Sequence, residues 1–299
     1  MEYLTGYTIK PFRTTSVGVV IFTDGTNNEI SPNQVQCQAY GYTYDRATGT
    51  CRAFRSNTNL QRNLNNIDNK INGARNTIGT GGKNVLINGT NNTAEGLNNN
   101  CFIGGINNTI ESGVSNAKII GSNNTIANGI NNATVVGTLA EATATNSIVL
   151  GGNSDGDALG TRQNITLMFG VQTTNNVATN TSLSNTKVGQ RNFEIPLNSI
   201  ITFQTETVAV RTGGSGGGSV GDFKAFIETG AAVCNSAGAI TLDKSRTIIA
   251  NVGTTSGWLS DVAVSGTSFV QQVQGANNRT IEWATTMRIT QLKTGVTIP

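Results

Sequence analysis

Apolar residues recur at a fixed step through the middle of the chain. Ile71, Ile87, Ile103, Ile119 and Val135 follow one another every sixteen residues, each two positions before Gly73, Gly89, Gly105, Gly121 and Gly137. Five positions after each glycine comes Ile78, Ala94, Ile110, Ile126 or Ala142. Thr77, Thr93, Thr109, Thr125 and then Glu141 precede that second set, and Asn76, Asn92, Asn108 and Asn124 precede the threonines. A fixed period with two apolar positions per turn predicts a parallel β-roll, or solenoid, over residues 73–152. Its core comprises Ile87, Ile103, Ile119, Val135, Ile110 and Ile126. Glycine permits a backbone corner that other residues resist, and asparagine tolerates the left-handed conformation and can hydrogen-bond to its copies on neighbouring turns. Stacked turns rise by about 4.8 Å, so five make a rod of about 24 Å. The core of one such roll is thin.

The flanks read differently. Residues 1–55 carry a strand-like run, Ser16 to Phe22, and a hairpin pattern from Tyr40 to Thr50. A β module this small seldom stands alone, so it is expected to dock on a larger assembly or to pack on its own chain. In residues 56–72, Leu60, Leu64, Ile67 and Ile71 are spaced by four, three and four. That spacing predicts a helix with a coiled-coil seam; the alternative is one amphipathic helix packed on its own chain. Residues 153–192, rich in Asn, Thr and Ser, read as a transition segment. From residue 193 to 299 strands alternate, Ile281, Trp283, Thr285, Met287 and Ile289 most clearly, and predict a C-terminal β-sandwich of jelly-roll type. Gly213 to Ser219 reads as a loop between two of these strands.

Composition agrees with a mainly β chain and narrows its chemistry. Charged residues are 12%, aromatics 6%, and there are 36 glycines, with a net charge of +3. Lys and Arg are scattered, without the basic stripe of a nucleic-acid binder. No apolar run approaches the length of a membrane span. The chain has no histidine, which removes Ser-His-Asp and Cys-His catalysis and, with no close cysteine pair, points away from a zinc site. Cys37 and Cys51 flank a short segment and could be bridged, but the reading for all four cysteines is reduced, packed thiols. No metal or cofactor is expected.

The run Asn108-Thr109-Ile110, Gly113 and Asn116 to Ile126 is similar to β-roll repeats in trimeric bacteriophage tail and head fibres. It also looks like the head repeats of trimeric autotransporter adhesins. The order of docking module, short coiled coil, β-roll and terminal sandwich resembles the phage fibres over residues 56–299. The resemblance implies a homotrimer, attachment of residues 1–55 to another virion protein, and a distal head that meets a host-surface glycan or protein. It carries no catalytic residues. Met1-Glu2-Tyr3 begins with neither a basic nor an apolar secretory segment, so a protein assembled in the host cytoplasm into a virion is expected, without membrane insertion.

The candidate receptor contacts are loop residues Gly213, Ser215 and Ser219 with Asn277, Asn278 and Arg279, since loops on a rigid scaffold usually carry recognition. The chain is expected not to be an enzyme. Two other functions remain open: a bacterial surface adhesin, and a tailspike-type glycan depolymerase. The latter needs two carboxylates, and Glu95, Glu111 and Glu141, with Asp155 and Asp157, are the acids near the roll. An ice-binding surface built on the Thr77-to-Thr125 column is a weaker rival, because one threonine per turn is narrow.

Overall fold

The computed structural model describes residues 2–26, 28–53, 68–152, 156–183 and 192–299. It divides into two units, Met1–Asn66 and Ile67–Pro299.

In the first unit, β1 (Lys10–Thr14) and β2 (Val20–Thr23) pair antiparallel. A hairpin follows of β3 (Thr43–Asp45) and β4 (Thr50–Arg52). Between them α1 (Gln34–Ala39) starts at a capping box, in which the Asn33 side chain accepts from the Gln36 backbone and Gln36 reciprocates. The sequence reading missed this helix, although Asn33 and Gln36 stand at the capping-box spacing. Ile9, Val20 and Phe22 pack around Cys37 and Cys51. These two cysteines form a disulfide, with Cα atoms 5.6 Å apart, which corrects the expectation of reduced thiols. Strand pairing brings Cys51 opposite Tyr44 while α1 carries Cys37 to the same small core.

The second unit opens with the roll. Its first sheet contains β5 (Lys70–Ala74), β7 (Lys83–Thr90), β9 (Asn99–Ile106), β11 (Lys118–Ser122), β13 (Thr134–Thr138) and β15 (Ser147–Gly151), paired in parallel. Its second contains the two-residue strands β6 (Thr77–Ile78), β8 (Thr93–Ala94), β10 (Thr109–Ile110), β12 (Thr125–Ile126) and β14 (Glu141–Ala142). Ile71, Ile87, Ile103, Ile119 and Val135 lie opposite one another in register, as do Ile78, Ala94, Ile110, Ile126 and Ala142. From Ile87 to Val135 and from Ala94 to Ala142 these residues are fully buried. Each buried aliphatic side chain contributes about 1.5–3 kcal/mol.

Leu60, Leu64 and Ile67 of the expected helical seam lie outside the described residues. Ile71 does not belong to a helix. It sits in β5, where pairing with Ile87 extends the roll by one rung.

Asparagines set the step. Asn92, Asn108 and Asn124 are fully buried. Asn108 donates its backbone N–H and its side-chain amide to Asn92 Oδ1, both at 3.0 Å, and also its side-chain amide to the Gly121 carbonyl at 2.8 Å. Asn124 repeats the pattern on Asn108 and Gly137. The left-handed corners are taken by the preceding residues, Asn91, Asn107 and Asn123, with φ of 57°, 56° and 56°. The two roles expected of one asparagine are thus divided between neighbours. Gly105, at φ 130°, explains the invariant glycine column: a Cβ there would stand 1.8 Å from the Gly121 carbonyl oxygen.

The first sheet does not end with the roll. β16 (Arg162–Thr173) adds antiparallel to β15, inside the segment expected as a transition. β24 (Thr280–Lys293), β19 (Ser199–Gly213), β20 (Phe223–Cys234) and β21 (Ile240–Val252) follow, making one eleven-stranded sheet. A four-stranded sheet of β17 (Thr179–Asn180), β18 (Asn192–Glu194), β22 (Leu259–Ser265) and β23 (Ser268–Gln274) shares its core. Phe203 meets Phe269 edge-to-face, with centroids 5.2 Å apart. Buried Glu228 accepts from the Val262 N–H at 3.0 Å and pairs with Lys244 at 3.0 Å. Glycine-free alternation from Ile281 to Ile289 places that whole set inward. The even-numbered residues of β20 face inward, so Lys224, Phe226 and Glu228 are buried instead of Phe223 and Ile227, and the bulge opposite Ala225 and Phe226 lies in β21, at Ile249.

Asn108→Ala, which strips the ladder inside the core, is expected to cost about 2–4 kcal/mol by chemical denaturation. Asn72→Ala, which removes the exposed contact of Asn72 to Asn88, is expected to cost under about 1 kcal/mol. Reduction of the Cys37–Cys51 bridge, which closes a short loop, should lower the stability of the first unit by about 3 kcal/mol in the chain-entropy account, read as an earlier thermal transition in dithiothreitol.

Candidate functional site

Three surfaces of the second unit carry candidate chemistry. The first is a loop cluster at one end of the large sheet. β19 ends there, β20 and β24 begin there, and β21 ends opposite Phe223. Arg211, almost fully buried, organises the loop that follows it. Its guanidinium donates to the carbonyls of Gly213 (3.0 Å), Gly214 (2.8 Å), Gly216 (2.7 Å) and Gly217 (2.8 Å). The Asp222 carboxylate closes the loop by accepting from Ser219 N at 2.9 Å and Thr254 N at 3.1 Å. The Ser219 and Thr254 bonds, and the nearby Arg211 and Arg279 charges, hold its pKa below the usual carboxylate range.

The two predicted contact loops meet here. Gly216 N donates to the Asn278 carbonyl at 2.8 Å, Asn278 N to the Thr174 carbonyl at 3.1 Å, and Arg279 Nη1 to the Thr254 carbonyl at 2.5 Å. Gly213, Ser215, Ser219, Asn277, Asn278 and Arg279 therefore share one loop surface. Arg211 and Asp222 were missed in the sequence, although an arginine before a glycine-rich run and an aspartate after it mark the loop's ends.

The second surface is the outer face of the small-strand sheet of the roll. Thr77, Thr93, Thr109, Thr125 and Glu141 stand in register there. Beside them Glu95 accepts from Ser112 Oγ at 3.0 Å, and Glu111 accepts from Asn128 N at 2.9 Å. Burial, foremost, and the Glu111 charge raise the pKa of Glu141, while Lys293 opposes them. Its carboxylate lies over Gly160, where a Cβ would come within 3.0 Å of Oε2. Asp155 of the acids named above lies outside the described residues, and Asp157 is paired with Arg162 at 2.7 Å.

The third surface is a cleft of about 1060 Å³. β15 covers β16 only as far as Leu167, opposite Ser147. Beyond it, among the described residues, the edge of β16 is open except where Gly170 exchanges two 3.0 Å hydrogen bonds with Ser182. Asn132 and Asn146, the last rungs of an exposed asparagine ladder, wall one side, and Gln172, Asn180 and Glu282 wall the other. Among the described residues no group of three or more His, Cys, Asp or Glu is placed to hold a metal.

Solved structures of phage tailspikes are similar to this chain. One is the tailspike of Acinetobacter baumannii phage AM24, at 12% identity and a TM-score of 0.30, covering 78% of this chain and 51% of that one. Another is the tailspike of Acinetobacter baumannii bacteriophage Fri1, a capsular polysaccharide depolymerase, at 8% identity and a TM-score of 0.26, covering 75% and 48%. A third is the tailspike of Acinetobacter phage vB_ApiP_P1, at 10% identity and a TM-score of 0.20, covering 77% and 54%. The chain spans about half the length of each. No family model matches it, and no curated protein does. The expectation that the chain is not an enzyme is corrected by the Fri1 protein, which is a depolymerase, and is not retained.

Glu141 yields a pH test. Because its folded pKa is raised, the stability linked to its protonation is complete below the ordinary glutamate value and is lost as pH rises through the folded one. Glu141→Gln is therefore expected to melt higher than the parent at pH ~7 and at the same temperature at pH ~4.

Proposed function

We propose that this chain is a subunit of a homotrimeric bacteriophage tail spike or fibre, joined to the particle through residues 1–55 and presenting its loop cluster to a host-surface glycan or protein. The observation that carries this reading is the outer face of the eleven-stranded sheet. Ile120, Leu150, Ile200, Val208 and Leu292 all point away from the core, and each is 43% or more exposed in the single chain. Leu150 stands opposite Asn164, Asn164 opposite Thr290, and Thr290 opposite Thr202, so polar positions separate apolar patches on one face. Apolar surface of this kind on a soluble chain marks an association surface, and a roll with a thin core gains most from covering it. A second copy of the same chain supplies a matching apolar face. Three copies is the number that the resemblance to phage fibres implies.

A second reading has an observation of its own. Glu111 and Glu141 stand on one face of the roll, two turns and two chain positions apart, and the Glu111 charge acts on Glu141. Glycosidases act with two carboxyl groups across the scissile bond, roughly 6.5–9.5 Å apart in inverting enzymes. Burial keeps Glu141 protonated to higher pH than an ordinary carboxylate, which suits a general acid. Glycan cleavage at this pair is compatible with the spike reading.

Light scattering on the purified chain is expected to give three times the 31.2 kDa chain mass, and a monomer at micromolar concentration would sink the trimer. Incubation with host capsular polysaccharide, followed by a reducing-end assay, tests cleavage. Steady release that Glu141→Gln lowers by about 100-fold or more supports the second reading, and no release removes it.

A further inference from the structure

We infer that the cleft along the open edge of β16 is a binding site for a neutral or amino-sugar oligosaccharide and rejects acidic ones. The inference rests on the spike reading for its setting and on the cleft's own lining for its chemistry. The cleft's volume, about 1060 Å³, is at the upper end of ordinary ligand pockets, large enough for several sugar rings.

Its lining has the two features that an uncharged polyol needs. Amide and hydroxyl groups of Asn132, Thr166, Gln172, Asn180 and Thr286 face the space, offering donors and acceptors to hydroxyl groups. Asn180 Oδ1 accepts from Gln272 at 2.9 Å, leaving its amide to donate. Ile148 and Met168, 52% and 59% exposed, supply apolar surface beside them.

Charge sets the selectivity. Among the described residues no Lys or Arg lines the cleft, and the one carboxylate there, Glu282, is held by Gln172 Nε2. The cation next to it on the sheet, Arg288 opposite Thr166, is paired with Glu206 at 3.7 Å. A carboxylated or phosphorylated sugar would meet Glu282 with no counter-charge among the described lining residues, whereas an ammonium group would be attracted to it.

The floor provides a clean variant. Gly170 has no left-handed φ, and among the described residues a Cβ there would meet only the Trp283 carbonyl oxygen, at 3.6 Å. Gly170→Leu should fill the cleft without straining the backbone.

The test is calorimetric titration of the full chain with chitotriose, glucosamine trimer and trigalacturonate. The first two are expected to bind and trigalacturonate at least about 10-fold more weakly. Gly170→Leu is expected to weaken chitotriose at least about 10-fold with melting unchanged, and Glu282→Gln to weaken only the glucosamine trimer. Binding of none of the three, equal binding of trigalacturonate, or chitotriose binding unaltered in Gly170→Leu overturns the inference. Should Gly170→Leu misfold, Glu282→Gln decides alone: an unchanged preference between the two trimers overturns it. None of these outcomes alters the light-scattering mass, which bears on the spike reading and not on the cleft.

Discussion

The structure of the second unit depends on a hydrogen bond made inside an apolar core. A buried amide that lacks partners costs more than a satisfied one returns, so each core asparagine must find its neighbour's oxygen and a glycine carbonyl at the same time. Asn92, Asn108 and Asn124 do so only when successive turns have equal length. The glycine column enforces the same condition from the backbone side, because any side chain at Gly89, Gly105 or Gly121 would collide with the next turn's carbonyl. Equal turns align the aliphatic rungs, and the aligned rungs exclude water from the amides. The two effects require each other.

That regularity reaches past the roll. β15, the last parallel strand, presents a straight edge, and β16 pairs with it antiparallel from Ser147 to Gly151. The rest of the large sheet then grows strand by strand to β21. The loop cluster around Arg211 and the cleft beside Gly170 both follow from where this addition begins and stops. β15 is shorter than β16 and pairs with it only as far as Leu167, and the long strands β19 and β24 carry their connecting loops to a common end. One face of the sheet packs on the core and the small sheet. The other carries aliphatic residues that a single chain does not bury.

The roll was legible in the sequence because identical residues at a constant step have one economical explanation. The core positions could be named from spacing alone, Ile87 to Val135 and Ile110 to Ile126. What spacing could not reveal was pairing between distant segments. That β16, within a polar stretch, would join the roll to the C-terminal strands depends on contacts more than a hundred residues apart, such as Thr173 with Ile281. The inward face of β20, which buries Lys224, Phe226 and Glu228 in place of Phe223 and Ile227, is equally invisible to an alternation count, because polar residues share it. Ile71 fitted two periods at once, helical and sixteen-residue, and the parallel partner at Ile87 decided between them. For the candidate sites, the loops around Gly213–Ser219 and Asn277–Arg279 were readable from turn chemistry. The Arg211 cage and the cleft were not, since both arise from tertiary placement. The Cys37–Cys51 bridge depends on α1, whose capping signal was present but short.

The central physical claim is that the apolar patch of Ile120, Leu150 and Leu292 on the outer face of the large sheet is covered by other copies of the chain. Hydroxyl-radical footprinting of the native protein tests it most directly, with Leu150, Ile120 and Leu292 as reporters and exposed Val296 as reference. The account predicts strong protection of the three reporters, lost on dissociation in mild denaturant, while Val296 is oxidised throughout. Equal oxidation of all four residues in the native protein would contradict it.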